Sequence, residues 1–189
     1  MLKRLVLSVF LVLGLAASAS PAAAQGSVSD TFSVDEIVDR GGEFFGSVSQ
    51  GLASVVERAA GQFGLPNGYI LGEEAGGALF VGGRFGEGTL YTRNQGDYPL
   101  FWQGPSIGFD VGGDGSKVMM LLYNLDSTDE VFNRFPGVDG SAYVVGGLAM
   151  SVLKAGDVVV VPIRSGVGLR AGLSVGYLKF TNEPTWNPF

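Results

Sequence analysis

The sequence predicts an α+β protein that is mainly β: a small, strongly bent sheet or closed β-barrel, with an N-terminal helical segment and one short helical insertion. Three observations predict it. Apolar residues recur every three or four positions up to Phe63 and every second position from Tyr69 onward, a switch from the period of a helix to that of a strand. The 31 glycines among 189 residues far exceed an ordinary share and are spread between short apolar runs, not gathered in one tract. Two predicted strands carry glycine and other small residues along one face, which lets a sheet curl tightly and another layer approach closely.

The chain opens with an export signal. Lys3 and Arg4 precede an apolar run, Leu5 to Ala17, broken only by Ser8 and Gly14. Pro21 ends any helix there, and Ala22-Ala23-Ala24 supplies the small residues that a signal peptidase reads, so cleavage is expected after Ala24. The run is shorter than the ~20 residues that span a bilayer, and the chain has no Cys to acylate. The mature chain is therefore expected to work outside the cytoplasm and not to be transmembrane.

Residues 25–64 read as a helical segment. Gln25 to Asp30 is a small, polar start. Ser33-Val34-Asp35-Glu36 is a capping box, in which the Ser33 hydroxyl takes a free amide of the first turn and Glu36 reaches back to the cap amide. The helix is expected to weaken or kink at Gly41-Gly42. A second helical pattern covers Glu43 to Gln62, with Phe45, Val48, Leu52, Val55, Val56, Ala59 and Phe63 on one face for packing against a sheet. Gly64-Leu65-Pro66-Asn67-Gly68 stops it.

Residues 65–189 read as a Gly-rich β-barrel-like domain. Strands are expected at 69–74, 78–85, 88–92, 100–103, 107–111, 117–122, 141–153, 158–163 and 167–180. Turns are expected at Gly76-Gly77, Asn94 to Asp97, Gly112 to Gly115 and Lys154 to Asp157. Ser127-Thr128-Asp129-Glu130 is a second capping box, predicting a short helix through Val131, Phe132 and Phe135 up to Pro136-Gly137. The tail, Asn182 to Phe189, has two prolines and no period; Trp186 and Phe189 suit it to docking on the body.

Composition narrows the chemistry. Without Lys3 and Arg4 the basic residues fall from 12 to 10 against 18 acids, a mature net charge of about −8. Phosphate backbones need a basic face, so nucleic acid is not an expected partner. With no His and no Cys, Ser-His-Asp and Cys-His nucleophiles, the usual haem ligands and ordinary zinc sites are unavailable. No spacing of the remaining Lys, Tyr and carboxylates assembles a catalytic set. The expectation is a protein with no catalytic residues, no metal and no cofactor.

Gly112-Gly113-Asp114-Gly115-Ser116-Lys117 lacks the spacing of a phosphate loop and precedes a strand, so it reads as a hairpin turn. Glu73 and Glu74 are neighbours on a strand and face opposite ways, which suits solvated strand-end charge better than paired carboxylates. Arg84 shares a face with Gly82, Gly86 and Gly88, and Arg170 with Gly168, Gly172, Ser174 and Gly176. On the solvent side they are ordinary surface charges. On the inside they would sit in a narrow polar cavity, paired with acids or with an anionic ligand through bidentate hydrogen bonds. The bulky alternate face, including Phe85, would then pack under the helices. Arg84, Arg170 and Trp102 are the candidate ligand-binding residues.

Four segments carry a family resemblance: Phe44 to Ala53, Gly82 to Gly88, Trp102 to Asp110, and the ending Trp186-Asn187-Pro188-Phe189. Together they resemble the alphaproteobacterial envelope integrity protein A family, over essentially the whole mature chain. A weaker similarity, to SYLF lipid-binding domains, lies in the small-residue rhythm of the strands, in Trp102 followed by Pro105, and in Tyr123-Asn124-Leu125 leading into a short helix with Val131 and Phe132. The resemblance implies a compact, β-barrel-like periplasmic domain that maintains the cell envelope, and it supplies no catalytic residues. The expected partner is a lipid-like or glycan-like envelope component; the alternative is docking on another envelope protein through the tail and the helices.

Overall fold

The computed structural model describes residues 30–138, 141–165, 176–185 and 187. The leader, the start of the mature chain, Arg170 with most of its strand, and the tail aromatics Trp186 and Phe189 lie outside them.

Helix α1 spans Val34–Phe45, a 3-10 segment Gly46–Gly51, and helix α2 Leu52–Phe63. The first capping box forms as the sequence requires. Ser33 Oγ accepts from the Glu36 amide at 3.2 Å, and Glu36 Oε2 accepts from the Ser33 amide at 2.8 Å. The expected kink at Gly41-Gly42 is absent: α1 runs through both glycines and ends at Gly46, whose φ is +62°. A Cβ on Gly41 would stand 2.6 Å from Leu52 Cδ2 and 2.9 Å from Met119 Sδ. This glycine admits α2 and the sheet to α1; it does not bend the helix.

Strand β1 (Gly68–Thr92) and strand β2 (Asp97–Tyr123) form one long antiparallel hairpin, paired from Gly68↔Leu122 to Tyr91↔Asp97 around the expected turn, where Gly96 has φ +92°. The sequence suggested three strands in each arm. The glycine pairs that looked like turns lie instead within the arms, where Gly76 pairs with Gly112 beside a register shift between Glu74 and Gly76. Glycine there bends the ladder without ending it.

A 3-10 turn, Thr128–Val131, follows, with Ser127 Oγ accepting from the Asp129 amide at 3.3 Å. It is shorter than the expected helix, because Phe135 already belongs to strand β3 (Arg134–Pro136). The expected strand over 141–153 is broken into β4 (Tyr143–Val145), β5 (Leu148–Met150) and β6 (Leu153–Ala155). Gly146 and Gly147, both at positive φ, turn β4 onto β5. Strands β7 (Val158–Ser165) and β8 (Tyr177–Thr181) complete one sheet. Its order is β3-β8-β2-β7-β5-β4, with β1 beside β2 and β6 beside β7.

The sheet is strongly curled and open, a half-barrel. The curl brings the two ends of β1 together. A Cβ on Gly88 would stand 2.9 Å from the Gly72 Cα, and one on Gly72 would be 2.7 Å from the Gly88 Cα. At this crossing only glycine fits on either side.

Two apolar cores lie on opposite faces of the sheet. The helices bury Ile37, Phe45, Leu52, Val55, Val56 and Ala59 against Met119, Leu121, Tyr123, Val159, Val161 and Ile163. Inside the curl, Ile70, Leu90, Leu100, Trp102, Met120 and Leu122 meet Phe135, Val160, Leu178 and Phe180. Alternate residues of β7 and of the last stretch of β2, Val118 to Tyr123, serve the two cores, so these segments are buried on both sides. Each large side chain so buried contributes about 1.5–3 kcal/mol.

Candidate functional site

Four polar or amphipathic side chains converge inside the curl. Glu74 points inward from β1. Arg164, near the C-terminal end of β7, donates from Nε to Glu74 Oε1 at 3.0 Å. Trp102 donates from its indole nitrogen to Glu74 Oε2 at 2.8 Å. Arg84, from the far arm of β1, brings a guanidinium nitrogen to 3.9 Å from Glu74 Oε1. Burial is the largest influence on the Glu74 carboxyl and pushes its pKa up. The charges of Arg164 and Arg84, with hydrogen bonds from Arg164 and Trp102, outweigh it and hold the group below the ordinary carboxylate range. The glycine face gives Trp102 its room. A Cβ on Gly86 would clash with the indole ring, and one on Gly72 would be 2.8 Å from its far edge.

Beside this cluster, at the fold of β1, lies a cleft of about 320 Å³, lined by Glu73, Phe85, Glu87, Phe101, Gln103 and Thr185 among others, with Trp102 and Glu74 behind them. Glu73 and Glu87 are exposed. The phenyl rings of Phe85 and Phe101 are partly buried, and Gln103 is only 1% exposed. The Gln103 Nε2 has no hydrogen-bond partner among the described residues. Among the described residues no group of three or more acids is placed to hold a metal ion.

Arg84 and Trp102, expected as ligand contacts, therefore meet at one carboxylate. Arg84 is not an ordinary surface charge; it lies inside the curl, where an acidic side chain faces it. Trp102 is a core residue whose one donor is taken by Glu74. Phe85, expected under the helices, lines the cleft. Of the adjacent acids only Glu73 is solvated; Glu74, expected as strand-end charge, is buried. Arg164 is not among the residues that the sequence reading singles out, although its position carries a signal. A run such as Val158-Val159-Val160-Val161 marks a strand buried on both faces, and a charge closing such a strand needs a partner. Gln103 gave no signal in sequence.

A family model described as Envelope integrity protein A matches residues 30–189. A crystal structure described as a β-barrel-like, uncharacterised protein from Brucella abortus is 56% identical, with a TM-score of 0.78, over 85% of this chain and 100% of that one. No curated protein matches.

Proposed function

Since the chain belongs to the envelope integrity protein A family, we propose that it is an exported, periplasmic, non-enzymatic protein that supports the cell envelope by binding a lipid-like or glycan-like envelope component. The observation that carries this reading is the cleft at Phe85 and Phe101, which pairs an apolar lining with a few polar groups, the usual make-up of a small-molecule site. The ligand belongs there and not on the Glu74 cluster, where Arg84, Arg164 and Trp102 already engage the one carboxylate. The family description and the leader support the location. No helix among the described residues is long and apolar enough to cross a membrane.

A strain lacking the protein should become sensitive to detergents and to antibiotics that a sound envelope excludes. The intact chain should restore resistance, and a Phe85→Ala/Phe101→Ala chain present at the same level should not. Wild-type resistance in the deletion strain would overturn the reading. Full complementation by the double variant would move the site elsewhere.

A further inference from the structure

We propose that the cleft at Phe85 and Phe101 is a sugar-binding subsite for a neutral pyranose chain, with the Gln103 side-chain amide as its buried donor. This rests on the preceding reading and names the ligand class.

The register places the relevant side chains on one face. Glu87 pairs with Phe101, and Phe101 with Thr181; Phe85 pairs with Gln103, and Gln103 with Lys179. Leu100, Trp102, Leu178 and Phe180 occupy the opposite face, inside the curl. Neither Phe85 nor Phe101 belongs to the core beneath the helices.

Gln103 is the decisive residue. It lines the cleft, is 1% exposed, and its Nε2 is without a partner among the described residues. A buried donor left unmatched destabilises a fold, so such a group is an expected feature of a site where a ligand brings the acceptor. The acids supply the converse. Glu73 and Glu87 are exposed carboxylates that accept hydrogen bonds and donate none.

A pyranose ring meets all of these groups at once. Its C–H face is apolar and suits the negative face of a phenyl ring, while its rim carries hydroxyls that both donate and accept. Other chemistries match less of the cleft. A phosphate would be repelled by Glu73 and Glu87. An acyl chain would leave Gln103 and both acids unused. A cation would leave the Gln103 donor, which needs an acceptor, unmatched.

The test is titration of the mature chain with an N-acetylglucosamine tetramer, with a neutral glucose tetramer, and with phosphatidylglycerol vesicles, followed by amide NMR shifts and calorimetry. The two sugars distinguish an amino-sugar strand from a plain polysaccharide as the source. The expected result is saturable binding of at least one sugar, with shifts centred on Phe85, Glu87, Phe101 and Gln103. Gln103→Leu and Phe101→Ala should each weaken the Kd about tenfold or more, while Phe132→Ala, exposed elsewhere, should not. If Phe101→Ala fails to fold, the wild-type shift map and Gln103→Leu still decide. Binding of neither sugar, shifts centred elsewhere, or unchanged affinity in Gln103→Leu overturns the proposal. Vesicle binding without sugar binding also overturns it and leaves the broader envelope-component reading standing. Wild-type resistance in the deletion strain overturns that broader reading whatever the titrations show.

Discussion

Arg164 and Glu74, on β7 and β1, meet at 3.0 Å inside the curl although β2 lies between their strands. The contact ties the first arm of the long hairpin to the strand that carries four consecutive buried valines. Side-chain exposures of 8% and 9% leave the pair little help from water. Glu74→Gln keeps an acceptor but removes the charge, so that Arg164 and Arg84 are left facing a neutral amide. A loss of about 3–5 kcal/mol is expected, as for other buried pairs deprived of one partner. Urea denaturation measures it, and a loss within experimental error would contradict the assignment. The pH dependence has the same origin. The folded pKa of Glu74 is lowered, so its stabilisation is present above the unfolded value of about 4.3 and is lost as the pH falls through the folded value.

Gly86→Ala puts a methyl group against the Trp102 indole, closer than van der Waals contact allows. Backbone on one side and a buried ring on the other leave little room to yield, so the cost should be about 1–3 kcal/mol or more. Trp102→Phe removes the clashing atoms and also the hydrogen bond to Glu74. In a double-mutant cycle the two changes should couple, with Gly86→Ala costing clearly less in the Trp102→Phe background. Additive costs would mean that the ring and the glycine do not constrain each other.

Gln103→Leu should raise stability by about 1 kcal/mol, because an apolar side chain of similar size removes an unmatched buried donor. Thermal melts of the ligand-free protein check this. A variant that is destabilised would show that the amide has a partner in the free protein.

Glu36 should titrate far below other exposed carboxylates. Hydrogen bonding from Arg93, with Nη2 at 2.5 Å, is the main cause, followed by the Ser33 amide, and the pKa is lowered to about 2. The folded value lies below the unfolded one, so the clasp is intact above about pH 4.3 and opens as the pH falls toward 2. Arg93 also donates from Nε to the Thr31 carbonyl at 2.8 Å, so the clasp fastens the start of α1 to the β1–β2 turn. NMR titration of the Glu36 carboxyl should give the low value, and Arg93→Ala should return it toward the ordinary range. An ordinary value in the unmodified protein would refute the clasp.

Local rules were readable wherever a residue's task is local. Ser33 and Glu36 form the capping box that their spacing announces, and Asn94 to Asp97 and Lys154 to Asp157 turn as written. Glycine was ambiguous, because the same freedom serves a turn, a bend and a close approach. Gly146-Gly147 turns the chain, Gly76 bends a ladder, and Gly41 makes room for Leu52. Alternation separated Glu73 from Glu74 onto two faces but could not say which face is inside. That depends on Arg164, far along the chain, and on the curl that brings Arg84 around. The sequence marks Arg84 and Trp102 for a ligand, and in the structure both face Glu74. The cleft beside them depends on Gln103, whose burial follows from neighbouring strands that no local pattern reveals.

The long hairpin also dictates an order of events. Pairing can begin at the local turn, where Tyr91 faces Asp97, and must proceed outward to reach Gly68 and Leu122. The helices precede the hairpin in the chain, yet their docking surface, Met119 and Leu121 at the end of its second arm and Val159 and Val161 on β7, is made last. A polypeptide emerging N-terminus first therefore presents the apolar sides of α1 and α2 with nothing to cover them until most of its length has been delivered. During that interval the chain is exposed to self-association, and a holding chaperone would have its longest opportunity to act on Leu52, Val55, Val56 and Ala59.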